Sequence, residues 1–482
     1  MVKMVALSNL LSIRGIAMTH PATSRACSRR SALRLIGAGA ALGLLAACAP
    51  SQQQPAPPPV QNPPAAQNAP TAASGQQAPA AASGQKTSLR WFFWTATEEE
   101  RQFWEGLAAD AMQKVPNVEV KFETDTFNNF WTRLPTMVAS GGVPDLLGLQ
   151  SLRTGSFASR NIYMPLDDLV AADKDVNIDD FNKGIREGLS YKGKIYALSY
   201  DFGPHVMYYN RSYFDKAGVP LPKDDWTWDD LIQTARALTR DIDGKPVTGF
   251  AAPNDFGAMI PWIFSAGGDY VDADFKKSLL STPETMDAIQ WYVDLIYKEK
   301  VSPVVDDPGN ANWVTEQFYS GRTAMFTTGP WNFVNARSKV KDVWDVTVLP
   351  RGKAGSISWV AGSGFGISSS TKFKNEAWQV LKYITSTEGL SKVAKAGRGY
   401  PGRVSAQQAF YRTDVPPEHQ QIVAKQAETA RPYRTNSTWQ EILDQLKRDL
   451  VDPIVVLGQP VADTVKAAEL GYQELLDRGA QA

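Results

Sequence analysis

Several residue types are scarce in this sequence, and each shortage removes a class of function. Its 482 residues include two cysteines and three histidines. Two cysteines cannot build a disulfide framework, and His20, His205 and His419 lie too far apart in sequence to suggest a histidine-based metal centre. Neither sign of charge dominates, with 50 Lys plus Arg against 50 Asp plus Glu, so there is no bulk attraction to nucleic acid or to an anionic surface. The apolar run Leu35 to Ala47 is shorter than the roughly 20 residues that span a bilayer. No phosphate loop, HExxH or paired CxxC occurs. Gly397-Arg-Gly399-Tyr-Pro-Gly402 matches a dinucleotide pattern by letter, but Pro401 interrupts it and a helical segment precedes it. Carboxylates are plentiful, which leaves a glycosidase acid/base pair open.

The first 86 residues read as export and attachment rather than fold. Ser28-Arg29-Arg30-Ser-Ala-Leu-Arg34 precedes the apolar run, and Leu45-Ala46-Ala47-Cys48 closes it. A charged segment, a short apolar stretch and a small-residue cleavage site form a signal peptide, with a likeness to the twin-arginine signal at Arg29-Arg30. The closing tetrapeptide resembles a bacterial lipobox, so residues 1–48 are expected to be a signal peptide and Cys48 the site of lipidation. Residues 49–86 are almost all Pro, Ala, Gln, Ser, Gly and Asn. Such a composition cannot bury enough apolar surface to offset its ordering entropy and is expected to be a disordered tether.

From Thr87 the texture changes. Ser88 to Trp94 reads as a strand, Glu98 to Val115 as a helix, Asn117 to Phe122 as a strand, Asn129 to Ser140 as a helix and Asp145 to Leu149 as a third strand. The alternation predicts an α/β fold with a parallel, doubly wound sheet. Ligands in such sheets sit beyond the carboxyl ends of the strands, which points to Trp94, Thr95, Asn128, Asn129, Gln150 and Ser151. A second α/β region follows, with strands at Val206 to Tyr209 and Trp344 to Val348. Its helices include one opened by Trp226-Thr-Trp228 with Thr227 as N-cap, and others over Thr285 to Lys300, Thr438 to Leu450 and Val461 to Leu476.

Six blocks of this part carry a resemblance. They are Gly141-Gly-Val-Pro-Asp145, Gly193-Lys-Ile-Tyr-Ala-Leu198, Met207-Tyr-Tyr-Asn210 with Tyr213 to Gly218, Trp226-Thr-Trp228, Gly321 to Trp331, and Gly362 to Ser370. In this order they resemble the carbohydrate-binding lipoproteins of bacterial ABC importers, the family of maltose-binding protein. The resemblance implies a two-lobed periplasmic-binding-protein-like fold, with a hinge and an interlobe ligand cleft. Lobe one would hold residues 87–202 and 356–405, and lobe two residues 203–355 and 406–482. The crossings would lie near Asp201 to Pro204, near Arg351 to Ser356 and near Arg403. The position near Gly203 is acidic in maltose-binding protein, which sets this chain apart from that specificity.

A sugar offers an apolar face and a ring of hydroxyls, so its pocket needs flat aromatics and fixed polar groups. Fourteen tryptophans are present. Trp94 ends the first strand, and Trp331 matches the family's stacking position. Trp439 lies where a second stacking aromatic is expected. Trp359 precedes Gly362 and Ser363, whose bare backbone suits close approach to a ligand, and Trp262 is a further candidate. Asn128, Asn129, Gln150, Ser151, Asp201, Asp255 and Arg403 are the expected hydroxyl partners. The resemblance further implies a monomer without cofactor, metal or catalytic residue. It would be anchored through Cys48 at the outer face of the cell membrane, in the periplasm or at the cell surface, and would pass a small carbohydrate to an ABC permease. A secreted carboxylate-dependent glycoside hydrolase or lyase, and a binding lipoprotein for a non-sugar solute, are the alternatives.

Overall fold

Strand β1 (Thr87–Trp94) pairs in parallel with β2 (Val118–Asp125) along its whole length. Between them runs α1 (Glu98–Lys114), whose Thr97 side chain accepts the Glu100 N–H and whose first turn carries three glutamates, a placement the helix dipole favours. Its buried residues Trp104, Leu107, Ala108 and Ala111 recur at helical spacing and cover the sheet. Helix α2 (Phe127–Ala139), capped by Thr126, leads to β3 (Leu146–Gln150), which is parallel to β1.

The computed structural model describes residues 86–481; the expected signal peptide, Cys48 and almost all of the tether lie outside them. Among the described residues, no helix is long and apolar enough to cross a membrane.

Four more strands complete the first sheet. They are β4 (Leu198–Gly203), β8 (Trp359–Ile367), β9 (Tyr400–Pro401) and β10 (Arg431–Pro432), and the seven-stranded order is β9-β4-β8-β3-β1-β2 with β10 beside β8. The sheet is mixed rather than wholly parallel, because β8 runs antiparallel to both β3 and β4. The reason is connectivity. A local right-handed crossover enforces parallel pairing, whereas β8 arrives from the other lobe.

The second lobe is built on a three-stranded antiparallel sheet, with β5 (Val206–Asn210) between β6 (Met325–Thr328) and β7 (Trp344–Thr347). Helix α3 (Trp228–Leu238) starts with a capping box between Thr227 and Asp230. All eleven residues of α4 (Phe256–Ala266) are buried, as suits a helix that is apolar all round, and α5 (Pro283–Tyr297) packs beside it. Helix α6 (Trp439–Leu446) passes into a π-type segment, Lys447–Val456, rather than running on as α-helix to Leu450. Pro453 within it lacks an N–H and disfavours a regular ladder. Helix α7 (Val461–Gln481) closes the chain.

The lobes are joined where β4 passes into β5 through Pro204 and His205, and where residues 348–358 link β7 to β8. After Arg403 the chain touches both lobes: the Tyr400 and Tyr411 hydroxyls are 3.0 Å apart, the Phe410 ring lies 5.5 Å from Phe333, and the His419 N–H donates to Asp345 of β7.

Candidate functional site

Three segments meet at the carboxyl ends of β1, β2 and β3. Trp94 ends β1 and packs against Phe127 and Trp131 of α2, with ring centroids 5.4 and 5.3 Å away. Directly after β3, the turn Ser151–Arg153 projects Arg153 over this patch, its guanidinium carbon 4.5 Å from the Trp131 ring and 5.3 Å from Phe127. Gln150 Oε1 accepts a hydrogen bond from Arg153. Burial pulls the Arg153 pKa down to about 10, opposed by Tyr433, Asp255 and Asp444. Asp255 and Asp444 belong to lobe two, while Tyr433 follows β10 and donates its N–H to the Val360 carbonyl of β8.

A second group of rings begins at Tyr433. Its ring is 5.3 Å from Trp359, whose indole N–H donates to the Gly257 carbonyl at 2.7 Å. Trp359 lies 4.4 Å from the His205 ring and 6.1 Å from Trp331, with the two indole planes only 16° apart. Trp331 sits in the 3-10 turn Pro330–Asn332 and is partly exposed. The rings therefore form two groups, one of Trp94, Phe127 and Trp131 in lobe one, and one from Tyr433 through Trp359 to Trp331 beside the first crossing.

The lobes also touch directly. The Gln440 N–H lies 3.4 Å from Ser156 Oγ, and Arg160 is 3.6 Å from Glu441. Gly155 permits this approach: a Cβ there would sit 2.7 Å from the Asn436 carbonyl oxygen. Within this closed region the Trp131 Nε1, Arg153 Nε, His205 Nδ1 and Gln440 Oε1 atoms are buried without a hydrogen-bond partner. Each such atom costs about 1–3 kcal/mol, as do the Nε1 atoms of Trp262 and Trp439 in the core.

The expected site residues divide into groups. Trp94, Trp331 and Trp359 belong to these two ring groups, and Gln150 holds Arg153. Asp255 caps α4 through the Ala258 N–H at 2.9 Å, and its carboxyl pKa is raised by the surrounding protein although solvent reaches the side chain. Ser151, Asp201, Gly362 and Ser363 form a scaffold beneath. The Gly362 N–H donates to Ser151 Oγ at 3.2 Å and the Ser363 N–H to Asp201 Oδ1 at 2.8 Å. Burial pushes the Asp201 pKa up to about 7, with Arg398 the main opposing influence. Thr95 shares a 2.9 Å hydroxyl contact with Thr124, and Asn128 and Asn129 are exposed in the first turn of α2.

Three expectations need correction. Trp262 is 2% exposed and packs against Trp291 in the core of lobe two. Arg403 spends its nitrogens on Thr385 O, Asp180 Oδ2 and Val176 O while covering the Phe181 ring. Trp439 is fully buried among Tyr270, Phe275 and Tyr433. Sequence reasoning in turn missed Trp131, Arg153, His205 and Tyr433. Arg153 and Trp131 had a signal, since both lie just past a strand's carboxyl end, on the edge already marked for ligands.

One group among the described residues has the composition of a metal site: Asp345, Glu418 and His419 bring ligand-type atoms within 4.8 Å of one another. Asp345 Oδ2 is 2.6 Å from His419 Nδ1, and Glu418 pairs with Arg211 at 3.1 Å, so the three already satisfy protein partners.

The sequence matches the family model of the bacterial extracellular solute-binding proteins over residues 95–390. The chain belongs to this family. Among its curated relatives, a maltotriose-binding protein of Pyrococcus abyssi is 24% identical over 305 residues, covering 62% of this chain and 63% of the relative. The match thus spans less than two thirds of that relative's length. An arabinooligosaccharide-binding protein of Bacillus subtilis is 26% identical over 313 residues, 62% of this chain and 70% of its own. The structure superposes on an ABC substrate-binding protein of Listeria monocytogenes in complex with cycloalternan, with a TM-score of 0.74 at 23% identity, covering 81% of this chain and 98% of that one. That likeness shows the two-lobed α/β fold of the solute-binding proteins.

Proposed function

We propose that this solute-binding protein captures a carbohydrate by closing its lobes and delivers it to an ABC importer. The observation that carries the reading is the set of buried, unpartnered polar atoms contributed by both lobes beside these two ring groups. Two of them, on Trp131 and Arg153, are N–H donors, and Gln440 Oε1 is an acceptor. A hydroxyl both donates and accepts, so a polyhydroxy solute answers all three, whereas a polyamine would leave the donors unmet. The rings supply the flat faces that a pyranose covers. Names of the relatives, which bind maltotriose and arabinooligosaccharides, point to the same class.

Closure then follows as a population shift. Empty, the closed form carries unpartnered polar atoms and is disfavoured; a ligand that satisfies groups on both lobes favours it. The carboxylates already seen have structural tasks, Asp255 as a helix cap and Asp201 as a backbone acceptor, which supports binding without turnover. We further read Cys48 as lipidated, residues 49–86 as its tether and the site of action as extracytoplasmic.

The test is thermal unfolding of the purified protein against maltotriose, an arabinooligosaccharide, mannitol and putrescine, followed by analysis of the recovered sugar. At 100 times its dissociation constant a ligand adds about 2.7 kcal/mol, a shift of several degrees. A shift with a saccharide recovered intact supports the reading. A shift with putrescine alone, or a cleaved sugar, contradicts it.

A further inference from the structure

We propose that His205 is a specificity-determining residue of the cleft, hydrogen-bonding an uncharged hydroxyl of the bound solute. The inference rests on the capture reading above and deepens it at the one atom of that set, His205 Nδ1, that was given no partner there. His205 lies at the first crossing, where any rotation between the lobes must pass. Its backbone N–H donates to Ser358 Oγ at 2.9 Å, which ties the first crossing to the second. The side chain is set against two rings, Trp359 at 4.4 Å and Trp331 at 5.8 Å, so the imidazole stands beside the faces on which a sugar would lie.

The residue is 8% exposed, and its Nδ1 atom is buried with no partner. A structural histidine in a core spends both ring nitrogens on protein groups or water; this one leaves a nitrogen unmatched at the edge of the aromatic surface. Burial alone lowers its pKa, to about 3, so the ring is neutral and no neighbouring charge contributes. A neutral imidazole offers one donor and one acceptor nitrogen. That suits a hydroxyl, which can take either role. An anionic group would find no positive charge here.

The test uses His205→Phe, which keeps a flat ring and removes both nitrogens, and His205→Gln, which restores a polar group. Unfolding temperature without ligand and affinity for maltotriose, an arabinooligosaccharide and mannitol are measured for both variants and for the parent. For the saccharide that the parent binds, His205→Phe is expected to weaken affinity about tenfold and His205→Gln to recover part of the loss. The ligand-free unfolding temperature of His205→Phe should equal or exceed that of the parent, because an unpartnered buried nitrogen is gone. Unchanged affinity overturns the assignment, and so does a fall in ligand-free stability, which would show the nitrogen serving a protein partner. If the parent binds none of the three, the capture reading fails, while the ligand-free comparison still decides whether the nitrogen is held by the fold.

Discussion

Trp262 and Trp331 have the same side chain and opposite surroundings. Trp262 is enclosed by Trp228, Trp291 and Phe250, while Trp331 stands partly open beside Trp359. Trp262→Ala should therefore destabilise the protein by about 3–5 kcal/mol in urea unfolding, with ligand affinity of the folded fraction unchanged. Trp331→Ala should lower affinity about tenfold, with the ligand-free midpoint nearly unmoved. Apart from the family match at Trp331, local sequence did not separate the two, since both follow a proline; what separates them is which element faces the cleft, and that depends on the crossings. Asp201 adds a pH effect. Burial raises its folded pKa to about 7, above the usual carboxylate value of 3.8, so between these pH values the folded state holds a proton that the unfolded state has released. The associated stability is full below about pH 4, falls as pH rises, and is lost above about pH 7. Asp201→Asn keeps an acceptor for the Ser363 N–H and should abolish this loss between pH 4 and 8 in urea midpoints. An unaltered slope would place its origin elsewhere.

Elements were more legible than single contacts. Thr97, Thr126 and Thr227 each precede a run with helical spacing, and each caps a helix through its side chain. The capping box at Thr227 includes a 2.8 Å bond from its N–H to Asp230 Oδ2, so Thr227→Ala should cost about 1 kcal/mol in denaturant unfolding without altering binding. Alternation of strand and helix gave the parallel pairing of β1 with β2 and β3, because a short right-handed crossover has little choice. The antiparallel placement of β8 had no local sign. Its partners, β3 and β4, are more than 150 residues away in sequence for β4 and farther for β3, and only the return of the chain from lobe two sets its direction. Likewise Arg403 looked like a hinge group from its position in sequence, yet its guanidinium is fully engaged by Asp180 and two carbonyls.

At the scale of the molecule, the approach of the two lobes depends on a glycine. Gly155 lies in the short helix Thr154–Ala158 and faces the Asn436 backbone of the other lobe. Gly155→Ala improves helix propensity but places a methyl group against that backbone, so it should hold the lobes apart. Ligand-free stability should be retained while affinity falls tenfold or more; equal affinity would show that closure does not need this contact. The family, the two ring groups and the unmet polar atoms converge on one claim, that solute drives the lobes together. Small-angle X-ray scattering of the purified protein, with and without the saccharide that most raises its unfolding temperature, tests it most directly. The account predicts a smaller radius of gyration with saccharide and the sugar recovered intact, whereas an unchanged radius at saturation, or a cleaved sugar, would contradict it.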